Sequence, residues 1–565
     1  MGGVFMPYFI DIQSKLFNSS ELIIEEKEKL DKFLLILEES GVGQIIEQAT
    51  KIDRSKGGRT PYNPYRLFAT IVYAFSKHSG SLRKIEESIK FDLRFIYLMD
   101  NYKPTYVTIS KFLNNVVVKF QKELFYLLTK TIIDKFNISI DDVFLDGTKL
   151  EANANKFKFV WKPTTHKKKL CMKIKTLLSS YFTFSDSKTT FVSKEVGDYL
   201  QKLLDNISSF GINVDALKTG RGIRNPQIVK DYFLLNQYLV TLLRYEEQDY
   251  ICGPNRNSFY KTDKEATAMC LKEDYYSGLG SNMRAGYNFQ LLVSKGLILY
   301  YFVCQDRNDT STLPTFLLSF NEIYGFFPKR LCADAGYGSL TNYQFTYDNN
   351  IESYIKPIDW SSLISGKTVP LYNFDADFNL ICLNGNIASK VDSYYGRHPH
   401  GKLSFYLINS CSRCKFKPFC QRTLKQIKNE RVFEADPHYF FLKKHNIDNL
   451  LSPKGIEMRV NRSSQVEGAF GVIKQDMDYE RVRRRGIENV SAEVMLVSLG
   501  YNVKKLFLLI EGKAKLDYWS APGNLQPEVL PQVKLDKLLN FKPNKKGENE
   551  SLRKSYKHKK RAVRN

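Results

Sequence analysis

Gly286-Tyr-Asn-Phe-Gln-Leu-Leu-Val-Ser294 leads, with only Lys295 and Gly296 to turn the chain, into Gly296-Leu-Ile-Leu-Tyr-Tyr-Phe-Val-Cys304. Both runs are apolar and rich in β-branched and aromatic residues. A connection this short that contains Gly closes an antiparallel hairpin. Upstream, Asp142-Val-Phe-Leu-Asp146-Gly147-Thr148 is a further apolar strand, and Leu150 to Trp161 continues it with partial alternation. Downstream come a helix at 312–323, a strand at 330–334, a helix at 340–349 and a strand at 351–356 that stops at Pro357. Strand, strand pair, helix, strand, helix, strand folds as a mixed α/β sheet with helices on both faces. A long helix begins near 461 and closes the set.

Three acids stand out on this frame. Asp146 ends the first strand, and Asp334 ends Arg330-Leu-Cys-Ala-Asp334-Ala-Gly336-Tyr-Gly338. Glu467 lies in the helical Arg462-Ser-Ser-Gln-Val-Glu467-Gly-Ala-Phe-Gly-Val-Ile-Lys474. Carboxylates at strand ends, with one more from a helix, can hold two divalent ions over a phosphodiester. The glycines after each Asp permit a sharp turn and close approach of a nucleic-acid backbone. Taken singly, each strand-end Asp is equally a turn cap. Lys474 lies two turns beyond Glu467 on the same face, placed to hold a phosphate, while Phe470 and Ile473 bury the helix.

The chain carries 84 Lys plus Arg against 60 Asp plus Glu, a formal net charge of +24, and that balance favours a polyanionic partner. No apolar run approaches the ~20 residues a bilayer crossing needs, so a membrane role is set aside. Met1-Gly-Gly-Val-Phe-Met-Pro-Tyr-Phe-Ile-Asp has no basic segment before an apolar core and is not read as a signal peptide. Nine cysteines in so long a chain do not make a disulfide framework, which places the protein in a reducing cytoplasm, about the nucleoid.

Helical spacing covers 22–40, 64–78, 82–99 and 108–136, with basic residues interleaved. This is either a helix-turn-helix-like DNA reader or a plain bundle with a solvated basic face. Residues 163–261 are lysine-rich and helical and look inserted. Thr262-Asp263-Lys-Glu265-Ala266 either shapes the acidic site or caps a helix. Arg481-Val-Arg483-Arg484-Arg485-Gly486 is hard to bury unpaired, so it grips phosphates or forms a solvated turn. The helix 491–511 behind it is apolar core. Cys411-Ser-Arg-Cys414, Cys420 and Cys382 form either a four-thiolate zinc site or a set of buried free thiols, with His398 and His400 as weaker substitutes.

The strand and helix order is similar to that of the ribonuclease-H-like fold. The acids together with Asn63-Pro64-Tyr-Arg-Leu67, Ser81-Leu-Arg-Lys-Ile-Glu86, Glu151-Ala-Asn-Ala-Asn155, Gly286-Tyr-Asn288, Asn308-Asp309 and the Val466-Glu467 to Arg485-Gly486 segment resemble bacterial insertion-sequence transposases of the Asp-Asp-Glu class. Within that class the likeness is to the group with an N-terminal helical domain and a cysteine-bearing insert. Relatives often carry a Tyr and an Arg at fixed steps before the Glu. Here those steps hold Val460 and Ser463, with Arg462 the nearest substitute.

The resemblance implies a helical DNA-binding domain at 1–137 and a catalytic core at 138–162 and 262–357, closed by helices at 459–512. Insertions fall at 163–261 and 358–458, and a basic, disordered tail covers 513–565. It further implies Asp146, Asp334 and Glu467 as catalytic ligands of Mg2+ (or Mn2+), with Lys474, Arg481, Arg483, Arg484 and Arg485 on DNA. The reaction would cut at element ends and transfer the freed strand into target DNA, with at least a homodimer in the DNA complex. A metal-dependent nuclease on the same fold and a catalytically retired DNA-binding protein are the alternatives.

Overall fold

The structure is a computed structural model that describes residues 26–50, 62–77, 80–213, 225–271, 283–366, 369–393, 398, 402–422, 428–516 and 518–531. The reading of the first residues as lacking a leader, most of the basic tail, and His400 lie outside them. No helix among the described residues is long and apolar enough to cross a membrane. The chain divides into two compact units, one of residues 1–140, 145–326 and 464–517, the other of 141–144, 327–463 and 518–565.

In the first unit, all described structure before residue 138 is helical. It comprises α1 (Lys27–Glu39), α2 (Val42–Thr50), α3 (Pro64–Lys77), α4 (Leu82–Phe91), α5 (Leu93–Leu98), α6 (Tyr106–Phe112) and α7 (Gln121–Lys135), with a π-helical turn at Leu113–Val117. The helix expected over 82–99 breaks at Asp92. That residue takes an extended conformation and its carboxylate accepts the Arg94 N–H at 2.9 Å, so it caps α5 rather than continuing α4.

Strand β1 (Asp142–Glu151) begins in the second unit and ends in the first. There follow β2 (Phe159–Trp161), α8 (Thr164–Leu178), α9 (Ser193–Ser209), α10 (Gln227–Cys252), β3 (Ser258–Tyr260), β4 (Thr267–Cys270), β5 (Met283–Ser294), β6 (Leu297–Cys304) and α11 (Leu313–Tyr324). Helices α8 to α10 enclose a core of their own around Leu170, Ile174, Leu178, Leu203 and Leu235. The hairpin read from sequence is present. β5 and β6 pair antiparallel, and the turn places Lys295 at φ 49° and Gly296 at φ 74°. Two successive left-handed residues match the right-handed twist of the strands they join. β4 pairs with the first residues of β5, and β1 also hydrogen-bonds to β5.

In the second unit, β7 (Arg330–Ala333) pairs parallel with β8 (Glu352–Ile355), and the Arg330 N–H reaches the Asp141 carbonyl at 3.0 Å. Between them lies α12 (Leu340–Asp348). Beyond them come α13 (Trp360–Ile364), β9 (Tyr372–Phe374), β10 (Leu380–Cys382), β11 (Ser389–Val391), β12 (Ser404–Ile408), α14 (Lys417–Cys420), β13 (Arg431–Ala435), α15 (Pro437–Leu451) and α16 (Pro453–Arg462). Residues 518–531, at the start of the segment read as tail, run along α16. Asn461 donates to the Trp519 carbonyl at 2.8 Å and Arg459 pairs with Glu528 at 2.7 Å.

The chain returns to the first unit through a π-helical turn (Ser463–Glu467), α17 (Gly468–Gly471), a second π-helical turn (Val472–Asp476) and α18 (Ile487–Ile510). α18 lies so close to α3 that a Cβ added at Gly500 would sit 2.6 Å from the backbone carbon of Phe75. The helical segment is thus not free-standing, because the far end of the chain packs into it.

Both units finish an outer strand in the same way. Asn502 of α18 is fully buried; it accepts the Ile298 N–H of β6 at 2.9 Å and donates to the same residue's carbonyl at 2.8 Å. Asn446 of α15 accepts the Ile355 N–H of β8 at 3.0 Å and donates to that residue's carbonyl. A side-chain amide offers both N–H donors and a carbonyl acceptor, so it can complete an edge residue as a further strand would.

Candidate functional site

Asp146 stands in the middle of β1, half-buried, and its Oδ1 accepts the N–H of Gly147 at 2.9 Å. Two residues on, and so on the same face of the strand, the Thr148 hydroxyl accepts a hydrogen bond from Lys474 Nζ at 2.7 Å. The segment bearing Glu467 and Lys474 is seated by Phe470, whose ring meets that of Phe289 edge-on at 5.6 Å, and by fully buried Ile473. Glu467 itself is exposed and closes the first π-helical turn, while Lys474 lies inside the second. Single-turn π segments inserted in a helix concentrate at functional sites.

Asp334 belongs to the second unit. It follows β7 directly, and its Oδ1 accepts the Gly336 N–H at 2.8 Å, so it does cap a turn. Its other oxygen lies 4.0 Å from Arg462 Nη2, whose side chain is only 8% exposed. Arg462, read from sequence as the nearest substitute for a missing arginine, therefore stands beside one of the three acids. Among the described residues, no three His, Cys, Asp or Glu side chains cluster closely enough to hold a metal ion.

The arginine loop is built onto the end of β1. Val482 N–H donates to the Glu151 carbonyl at 2.9 Å, and Asn153 donates to the Arg483 carbonyl at 2.7 Å. Glu493 of α18 is 2% exposed and accepts the backbone N–H groups of Arg483 at 3.0 Å and Arg484 at 2.8 Å. Burial pushes its carboxyl pKa up, against the pull of those N–H bonds and of Arg484. With the backbone held from below, the side chains of Arg483 and Arg485 are exposed.

Sequence reasoning missed Glu493; its one signal is an acid followed by a long apolar run within a helix. Thr262 and Asp263 start no helix, since the chain runs directly into β4; Asp263 and Glu265 instead reach the distant start of α18. Asp263 accepts the Gly486 N–H at 3.4 Å and the Tyr287 hydroxyl at 2.9 Å, and Glu265 accepts the Ile487 N–H at 2.6 Å. Both anchor the start of α18, where negative charge is favoured.

Cys382, Cys411, Cys414 and Cys420 line one small cavity of about 20 Å3. Burial, then the neighbouring Cys414, Cys420 and Cys382, push the Cys411 thiol up to about 11. His398 turns elsewhere, with Nδ1 3.3 Å from the Asp392 carbonyl.

The family model for a transposase DDE domain matches residues 381–507, and that for a transposase domain (DUF772) matches residues 18–115. Both matches support an insertion-sequence DDE transposase. No curated protein and no solved structure matches it. The first match takes in Glu467, Lys474, the arginine loop and the four cysteines, and the second takes in α1 to α6. Asp146 and Asp334 lie outside both.

Proposed function

We propose that this transposase cuts DNA at the ends of a mobile element and joins the freed strand to target DNA, with Asp146, Asp334 and Glu467 as its catalytic acids. The observation that carries the reading is the Lys474–Thr148 hydrogen bond at 2.7 Å, because it ties the Glu467 segment to the strand of Asp146. The pairing of β1 with β5 and the antiparallel β5–β6 hairpin in the first unit, and the parallel β7–β8 pair in the second, each support a ribonuclease-H-like core.

Two aspartates and a glutamate are hard oxygen donors, suited by chemistry to Mg2+ or Mn2+. Bound there, such ions supply Lewis acidity to the phosphodiester and to the attacking hydroxyl. The chain's own groups do the rest. Lys474 and the arginines of 481–485 hold phosphates, Arg462 orients Asp334, and the basic surface supplies affinity. Processing two element ends calls for two such sites, hence a dimer or larger assembly on DNA. The four cysteines are soft donors that line one cavity, which supports structural zinc, although their side chains are not drawn together into a metal cluster. Metal analysis of the purified protein should find about one zinc per chain; absence of zinc from protein purified without chelator removes the assignment.

The test of the main reading uses DNA spanning the gene's own flanks, with Mg2+ or EDTA, and the wild type beside Asp146→Asn and Glu467→Gln. Discrete Mg2+-dependent cuts that both variants lose are expected. Nicking retained by Asp146→Asn would remove that residue from the site. Diffuse cutting would indicate a nuclease, and tight binding without cleavage a retired DNA-binding protein.

A further inference from the structure

We propose that a cavity of about 520 Å3 between the α4–α6 segment and the arginine loop, all within the first unit, takes one unpaired nucleotide of the bound DNA. This rests on the reading of the protein as a DNA transposase and deepens it by naming what one part of the surface recognises.

The size falls in the range of sites that enclose a small organic ligand and exceeds what a phosphate alone would fill. The lining divides by chemistry. The helical segment contributes Arg83, Tyr106 and Leu113, and the loop contributes Arg481, Arg483 and Arg484. Tyr106 is 40% exposed, and the Arg83 guanidinium lies 5.3 Å from the centre of its ring. An exposed aromatic with an arginine over it is a stacking platform for a base, and this mode tolerates any base because each has a π face.

Arg484 supplies the complementary half. Its Nη2 donates to Asn114 Oδ1, while its buried Nη1 has no hydrogen-bond partner among the described residues. A buried guanidinium N–H without an acceptor is costly, and a phosphate oxygen is the strongest acceptor DNA offers. Two carboxylates also line the cavity. Glu493 has its oxygens engaged by the loop's N–H groups, and Asp478 is exposed. The arginines therefore set the sign of the field. The site is also preformed, since the loop backbone is bonded to Glu493 and to the end of β1. A paired base stays inside its duplex, so only an extruded or single-stranded nucleotide can bring base and phosphate here together.

The test compares two duplexes of equal length and sequence, one carrying a single extra unpaired thymidine. Binding is measured in EDTA at about 0.15 M salt, where surface charges are largely screened beyond about 8 Å. Wild-type protein should bind the bulged duplex roughly tenfold more tightly, as one stacked base contributes. Tyr106→Ala should lose that preference while binding the paired duplex within about twofold of wild type, and Tyr106→Phe, which keeps the ring, should retain it. Equal binding of both duplexes by the wild type overturns the nucleotide site and leaves the DNA reading standing. A preference that survives Tyr106→Ala overturns it as well. Failure to bind either duplex overturns the DNA reading itself.

Discussion

Glu493 sets the geometry of the arginine loop without touching anything outside the protein. Its two oxygens hold the N–H groups of Arg483 and Arg484 from inside the first unit. Because burial raises its pKa, the folded state holds the proton more tightly than the unfolded chain does. Such a group contributes stability that is fully present below the unfolded carboxyl pKa and is lost as pH climbs through the raised value. Wild-type thermal stability should therefore carry a component that falls as pH rises from the ordinary carboxylate range, and Glu493→Gln should remove it. Melting both proteins across that range measures the difference. Parallel profiles would assign the dependence to another group. Asp142 in the second unit runs the opposite way. Burial raises its pKa, but hydrogen bonds from Lys454 and Arg330 outweigh burial and hold it below the ordinary value. Its contribution is therefore present above the unfolded pKa and is lost on acidification.

α18 shows what a sequence discloses about an element and what it withholds. Its apolar character, read over 491–511, is enough to place it in the core, and it occupies Ile487–Ile510. The β5–β6 hairpin was equally legible, since two residues with a Gly permit few turns. The partners were not. Nothing near Asn502 in sequence indicates that it completes Ile298, some two hundred residues earlier, and nothing near Gly500 points to Phe75. Such contacts are fixed by the approach of distant backbones, which periodicity cannot report. The acids illustrate the same limit: the position of Asp334 at the end of β7 could be read locally, but Asp146, expected at a strand end, lies in mid-strand because β1 runs on to Glu151, and Arg462 beside Asp334 required the fold.

Two substitutions test the element. Asn502→Leu should destabilise by about 2–6 kcal/mol, because it leaves a buried N–H and a buried carbonyl unsatisfied at about 1–3 kcal/mol each. Gly500→Ala should cost about 1–3 kcal/mol through overpacking against the backbone of α3. Urea unfolding measures both. A Gly500→Ala protein as stable as wild type would mean that α3 and α18 can separate freely.

Over the whole molecule, the question is how the surplus of 24 positive charges is used. If it were general solvation, affinity for DNA would depend on salt weakly and no single arginine would matter. If it is gathered into a footprint, each neutralised phosphate releases a counterion, and six to ten contacts cost about 10³ to 10⁵ in affinity between 50 and 200 mM salt. Arg483 separates the cases because its backbone N–H anchors the loop while its side chain is exposed. Replacing that side chain should leave the loop in place. Arg483→Gln should therefore lower the slope of log affinity against log salt by about one, uniformly across DNA sequences, with thermal stability unchanged. A steep wild-type slope that Arg483→Gln leaves unaltered would place the footprint elsewhere and make the loop a solvated edge of β1. A slope reduced by one would tie it to the phosphates, and would place the proposed nucleotide cavity directly beside the path of the DNA backbone.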